Sequence, residues 1–488
     1  MTTPTNASTS ERTNSLAQQP VKPRSSDADV VVLGGGSAGL GAARAARRRG
    51  ASVVLIEQAS IGGDCTFTGC IPSKAVLEAA GRGQSFDQAM AEAERAIATV
   101  AATENASVLR RDGIEVIEGS ARLADRTSVI IDGHSLRATK AIIIATGASP
   151  AVPPIPGVET VRYLTNETLF QLEKLPSSLA VLGGGPIGVE MADAFARLGS
   201  NVTIVEATDR LLPREEAVAS EVLASVFSNL GITTCVGSAV ARVESIDGAP
   251  GVSLHLGSGR TIDAEALLVA VGRTPDTKGL DLDRAGVEVD HRGFIRVDAR
   301  LRTTARHVFA AGDVAEPLQF THVAYRTGYL AATNALSPIP LLRFRPESVP
   351  WVTFTSPEVA RVGLTEVEAV RRGGRVAFLP MAEVDRAVAA NRTQGFIKLI
   401  AGPRFGLRNL GGGRLLGATI VAERAGEMLH EIVLALRAGM FPARLALTTH
   451  AYPTWSMAVQ QAAAQFFGEY GGRQAQPASP GADTGVMS

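Results

Sequence analysis

The sequence predicts an α/β fold with two Rossmann-like dinucleotide-binding domains, because one unit occurs in it twice. That unit is a short apolar strand, a glycine-rich turn, a helix, a second strand and a closing acid. The length of 488 residues leaves room for about three domains, so a third part is expected beyond the two. A hydrophobic share of 45% and a charged share of 20% are those of an ordinary globular chain.

The first copy opens with the strand Asp29–Leu33. It runs into Gly34-Gly35-Gly36-Ser37-Ala38-Gly39 and a helical stretch over Leu40–Arg49. Gly50 punctuates, and a strand over Ser52–Ile56 ends at Glu57. Glycines let the backbone turn tightly and approach a pyrophosphate. The helix N-terminus offers free N–H groups and a positive dipole end to the same anion. The acid, about two dozen residues on, accepts from ribose hydroxyls.

The second copy repeats the order. A strand over Ser178–Leu182 leads into Gly183-Gly184-Gly185-Pro186-Ile187-Gly188 and a helix over Val189–Leu198. Gly199 follows, then a strand over Asn201–Val205 ending at Glu206. One copy would serve any dehydrogenase. Two in one chain imply two dinucleotides, most economically FAD and NAD(P). A carboxylate at Glu206 repels a 2′-phosphate, which favours NADH over NADPH, although Arg210 and Arg214 stand nearby in sequence.

Three further segments read as returns to a nucleotide fold. Ala141–Ile144 is an apolar strand followed by Ala145-Thr146-Gly147. Ala266–Val271 is followed by Gly272-Arg273, and His307–Ala310 by Ala311-Gly312-Asp313. Small residues at strand ends let loops pack on a cofactor, or simply make tight turns.

Cys65 and Cys70 lie within Gly62-Gly63-Asp64-Cys65 through Cys70-Ile71-Pro72-Ser73-Lys74. Zinc would need four ligands, and no second Cys/His cluster exists to complete a site. Two incidental thiols are the plain alternative; a redox disulfide fits the pair better. In a regular helix five residues rise about 7.5 Å, whereas a disulfide spans Cα separations up to about 7 Å. A closed disulfide therefore demands a distorted first turn, which Gly69 and Pro72 allow. The third cysteine, Cys235, stands in an apolar context as a buried thiol.

These segments together resemble the flavoprotein disulfide reductases, the group of dihydrolipoamide dehydrogenase, glutathione reductase and mercuric reductase. The resemblance runs from about Asp27 to about Tyr470 and continues through Val352–Gly363, which is similar to the start of that family's interface domain. It implies an FAD-binding domain over 27–151 and 272–340, an NAD(P)-binding domain over 152–271, and an α+β dimerisation domain over 341–470. It also implies that Cys70 lies against the flavin as a charge-transfer thiolate and that Cys65 is the outer thiol attacking substrate. Lys74 and Glu190 match a pair placed by the flavin and the nicotinamide. Asp313 matches the ribityl ligand and Glu57 the adenosine-ribose ligand. Gly63 and Lys74 join the glycine motifs, Ala145–Gly147, Gly272 and Arg273, and Gly312 and Asp313 as expected cofactor contacts. The apolar face at Leu429–Leu436 suits a two-fold homodimer, and the resemblance implies that the active site is shared across its interface.

The sequence departs from that family at its C-terminal acid–base dyad. The segment reads His450-Ala451-Tyr452-Pro453-Thr454-Trp455-Ser456-Met457, with Tyr452 in place of the histidine and Met457 in place of the glutamate. Tyrosine, with an ordinary pKa near 10, is a poor base at neutral pH. His450 stands as a candidate substitute. A tyrosine here resembles the mercuric-reductase-like members, yet no cysteine follows Cys235 to hand in a metal. The expected function is transfer of electrons from NAD(P)H through flavin to Cys65 and Cys70, and on to a small disulfide or metal ion. A diaphorase acting on quinones or metal ions directly from flavin, and a non-catalytic redox sensor, are the alternatives.

Lys+Arg and Asp+Glu balance at 48 each, which gives no pull toward nucleic acid or anionic lipid. Residues 1–26 are rich in Ser, Thr, Gln and Pro without the apolar run of a secretory signal. No stretch reaches the roughly 20 apolar residues of a membrane span. A cytoplasmic protein without nucleic-acid or membrane partners is expected, with tails over 1–26 and 471–488.

Overall fold

The computed structural model describes residues 27–480 except 247, 249, 316 and 317. The expected tail over 1–26 lies outside the described residues. The expected C-terminal tail needs correction over 471–480: there Gln476–Pro477 pairs antiparallel with Arg375–Pro380. Backbone pairing on a sheet edge outweighs the Gly/Pro/Ser-rich composition. Residues 481–488 lie outside the described set.

The first sheet has a parallel core. Glu115–Glu118, Val53–Glu57, Asp27–Leu33 and His134–Ile144 lie side by side, and Val308–Ala310 pairs with the last of these. Both faces are covered. Val30, Val32, Leu55 and Ile143 point into one core, and Val31, Leu33, Ile142 and Ile144 into the other. This explains why these strands read as continuous apolar runs and not as alternating ones.

A second parallel sheet repeats the plan with Thr233–Cys235, Asn201–Val205, Ser178–Leu182 and Ala266–Val269. The chain enters and leaves it through an antiparallel ribbon, Ala148–Pro150 against Arg273–Pro275. A six-stranded antiparallel sheet follows, led by Pro350–Thr353 and Glu358–Gly363, with the Ala425–Arg437 helix packed on it.

Two consecutive acids tie the second sheet to this third part. Trp351 Nε1 and Arg361 Nε donate to Glu215 at 2.7 and 2.8 Å. Lys398 Nζ lies 3.2 Å from Glu216 and 2.8 Å from Glu366. All these groups except Trp351 and Glu366 are buried, so each charge must be paired where it stands.

Candidate functional site

The two glycine motifs are built alike, and each glycine has its own reason. Gly34 and Gly183 have φ of +103° and +112°, and a Cβ there would strike the carbonyl oxygens of Ala145 and Ala270 at 2.3 and 2.5 Å. Gly39 and Gly188 let helix meet strand: their Cβ atoms would lie 1.8 and 1.9 Å from the oxygens of Gly34 and Gly183. The middle glycines differ. A Cβ on Gly36 would come no nearer than 3.9 Å to anything, and one on Gly185 would meet nothing within 4 Å. That open ground lies at the N-termini of the Ser37–Arg48 and Pro186–Leu198 helices, where a pyrophosphate fits. The helices begin at Ser37 and Pro186, inside the motifs and earlier than the apolar pattern indicated.

The closing acids also match. Glu57 accepts from the N–H groups of Gly35 at 2.5 Å and Ala59 at 2.7 Å. Glu206 accepts from those of Gly184 at 2.6 Å and Thr208 at 2.7 Å. Each carboxylate thus holds its own turn in place and stays at the cavity wall.

One cavity of about 2460 Å³ runs past both motifs and the cysteines. It exceeds the roughly 300–1,000 Å³ of a site for one small ligand and has room for two dinucleotides. Of the expected site residues, only Gly39, Gly188, Gly312, His450 and Tyr452 do not line it. Gly312, with φ +75°, serves packing: its Cβ would meet that of Ala38 at 2.8 Å.

The cysteines sit on two helices, where the sequence suggested one distorted turn. Gly63–Phe67 carries Cys65, and Cys70 opens Cys70–Gly81. Gly69 makes the join, since a Cβ there would lie 2.9 Å from the Asp64 oxygen. Pro72 falls in the first turn, where no N–H is needed. Both thiols are free and they titrate unlike each other. The hydrogen bond from Cys65 brings Cys70 down to about 6; burial opposes this, and the Lys74 ammonium and Thr321 hydroxyl assist. Cys65 is pushed up by its hydrogen bond to Cys70, by burial and by the Cys70 charge. Both shifts favour negative charge on the inner sulfur over the outer one.

Thr321 was not legible in the sequence. It opens the Thr321–Ala335 helix, and its Oγ1 lies 3.2 Å from Cys70 Sγ. Ser37 Oγ donates to the Thr321 carbonyl at 3.0 Å. Gly328 lets this helix press on Ala38, whose oxygen a Cβ would strike at 1.9 Å. The first glycine motif and the thiolate are thus held by one helix pair.

Lys74 Nζ donates to Glu190 Oε2 at 2.8 Å. Arg273 donates to Asp64, the residue before Cys65, and lies 3.6 Å from Asp313. Burial lifts Asp313 to about 6, with the Arg273 charge pulling the other way.

The C-terminal candidates lie apart. The His450 side chain is 7% exposed, with Nδ1 2.9 Å from the Thr448 carbonyl and Nε2 3.1 Å from Glu431. Each ring nitrogen is engaged within the fold. Tyr452 is 68% exposed and donates its hydroxyl to Asp385 at 3.1 Å. That hydrogen bond, with the Asp385 charge, pushes the phenol above its ordinary pKa. Among the described residues, no group of three or more His, Cys, Asp or Glu is placed to hold a metal ion. No described helix is long and apolar enough to cross a membrane.

Residues 28–328 match a family described as pyridine nucleotide-disulphide oxidoreductase, and 349–463 match its dimerisation domain. The chain is similar to a mercuric reductase of Bacillus cereus, 35% identical over 460 residues, covering 90% of this chain and 72% of that one. It is similar to a dihydrolipoyl dehydrogenase of Chlorobaculum tepidum, 37% identical over 465 residues, covering 89% and 96%. Among solved structures, a Cu(II) complex of the HOCl-induced flavoprotein disulfide reductase RclA from Escherichia coli superposes with a TM-score of 0.82. The identity there is 31%, covering 90% of this chain and 99% of that one.

Proposed function

The chain belongs to the pyridine nucleotide-disulphide oxidoreductase family, and from that premise we propose that it carries electrons from NADH through FAD to the Cys65–Cys70 pair, and from Cys65 to a thiophilic metal ion or small disulfide. Family membership makes it an FAD- and NAD(P)H-dependent oxidoreductase with a redox disulfide. The observation that carries the finer reading is geometric: both cysteines line one large cavity, with Cys70 3.2 Å from the Thr321 hydroxyl and the Lys74–Glu190 pair on the same wall.

We assign FAD to residues 27–151 with 272–340, the nicotinamide cofactor to 152–271, and dimerisation to 341–470. Gly36 and Gly185 would each admit a pyrophosphate, Glu57 and Glu206 a ribose, and Asp313 the ribityl chain. When bound, FAD supplies two-electron carriage between the nicotinamide and the disulfide.

The residues of the chain then have distinct tasks. Two electrons break the Cys65–Cys70 bond; the Cys70 sulfur remains as thiolate and the Cys65 sulfur takes a proton. Lys74 and the Thr321 hydroxyl hold the negative charge on Cys70. Glu190 holds Lys74 in position. Cys65 must lose its proton to attack an acceptor disulfide or bind a metal ion. In a homodimer sharing the site across its interface, Tyr452 would reach the partner's outer cysteine. His450, engaged on both sides, would act as a strut.

The likeness of the two closing acids supports NADH. FAD has no 2′-phosphate, and Glu206 repeats at the second site the bonding of Glu57 at the first. The exposed Tyr452 in place of a histidine favours, as a second reading, direct reduction of quinones or metal ions by flavin. A cytoplasmic setting fits the use of reduced nicotinamide. Turnover of a panel of disulfides, quinones, and cupric and mercuric ions by a Cys65→Ser/Cys70→Ser double variant tests the proposal. Loss of turnover with disulfides and metal ions is expected; full retention would sink it.

A further inference from the structure

The Pro186–Leu198 helix carries a second carboxylate, which the glycine motif does not account for. Glu190 and Asp193 stand three residues apart, and side chains at that spacing share one helix face. Both are buried, at 4% and 1% exposure. Opposite them lies the turn between the Pro350–Thr353 and Glu358–Gly363 strands. The Phe354 N–H donates to Glu190 Oε1 at 2.9 Å, and the Ser356 N–H donates to Asp193 Oδ2 at 2.9 Å.

Arg197, one turn further along, closes the arrangement. Its Nε donates to Asp193 Oδ1 at 2.8 Å, and its guanidinium donates to the Ser356 carbonyl at 3.4 Å. The Ser356 residue is therefore gripped at both its N–H and its C=O. Burial raises the Asp193 carboxyl, while Arg197 and the Ser356 N–H favour its charge. A charge this deep is retained only where such partners meet it.

What this turn presents to the cavity is Phe354. The residue is 38% exposed and lines the cavity, and its ring centroid is 4.6 Å from Lys74 Nζ. Glu190 thus holds Lys74 with one oxygen and the Phe354 backbone with the other. The ring stands beside the pair that Lys74, on the Cys70–Gly81 helix, makes with Glu190 on the second glycine motif's own helix.

We propose that Asp193 is a positioning residue for the nicotinamide: with Glu190 it fixes residues 354–356, and so holds the Phe354 ring as the wall against which the nicotinamide seats. A flat apolar ring there packs on the planar nicotinamide and keeps water from its flank. The adenosine half lies at Glu206 and does not depend on this wall. The proposal rests on the assignment of the nicotinamide cofactor to the second glycine motif.

Binding to the oxidised holoenzyme tests it by titration calorimetry with NAD+ and with ADP-ribose, which lacks the nicotinamide. Phe354→Ala is expected to weaken NAD+ about tenfold, the size of one good apolar contact, and to leave ADP-ribose within about twofold. Asp193→Ala is expected to weaken NAD+ by a smaller factor in the same direction, with Asp193→Asn recovering part of the loss. Phe354 lies on the cavity surface, so its variant keeps the test usable if Asp193→Ala fails to fold. Equal weakening of both ligands, or of neither, would overturn the positioning role. Wild type that binds neither ligand would overturn the assignment beneath it, and the proposal with it. None of these equilibria involves the cysteines, so they stand whatever the electron path to the acceptor proves to be.

Discussion

The inner and outer halves of the cysteine pair are built to different standards of completeness. Cys70 is enclosed by groups of its own chain: Thr321 at 3.2 Å, and Lys74 with its partner Glu190. Cys65 is raised chiefly by Cys70 and by burial, with the Thr321 hydroxyl pulling the other way. The groups expected to serve it, Tyr452 and His450, do not line the cavity of the same subunit. On the proposed reading, storing the electron pair needs one chain alone, and delivering it to an acceptor draws on a second copy.

Cys70→Ser attacks the inner half and should have the largest effect. Removing a reacting nucleophile costs at least about a thousandfold in turnover, here with any acceptor that depends on the disulfide. Lys74→Met should come next. Loss of a neighbouring opposite charge moves a pKa by about one to three units, and Cys70 should rise by that much. Spectrophotometric titration of the reduced enzyme reads this directly. In wild type the thiolate signal should persist above about 6 and fade as pH drops through that value. In the variant it should fade at higher pH.

Changes on the outer half should be smaller. Tyr452→Phe should slow acceptor reduction about a hundredfold, and Asp385→Asn by less, without altering the rate of flavin reduction by NADH in stopped flow. Equal slowing of both rates would break the division between halves. His450→Gln should have the least effect on chemistry, within about twofold. It should still destabilise the fold by about 1–3 kcal/mol, because Glu431 is left short of a buried partner. A large fall in turnover at unchanged stability would instead make His450 a proton carrier.

Legibility in the sequence follows the same division by distance along the chain. The strand–turn–helix–strand–acid units were readable because their pattern is local and each glycine has a steric reason. Lys74 and Glu190 were paired by family likeness, and they meet at 2.8 Å across 116 residues. Thr321 carried no such mark, and Phe354 lay in a segment marked only as the start of an interface domain. They reach the site because the chain leaves the first sheet, builds the second and returns, which no local pattern encodes. The single distorted helix expected around the cysteines became two helices because Gly69 presses on the Asp64 carbonyl. Within 471–480, read as tail from composition, Gln476–Pro477 pairs on the sheet edge with Arg375 and Val376, a contact about 100 positions away.

The most direct test of the electron path is an anaerobic titration of the holoenzyme with NADH, counting electrons taken up per flavin. Wild type should accept twice as many as the Cys65→Ser/Cys70→Ser double variant, because flavin and disulfide each hold a pair. It should also show a long-wavelength absorbance that the variant lacks. Equal uptake by the two proteins would contradict the account and leave the cysteines outside the path.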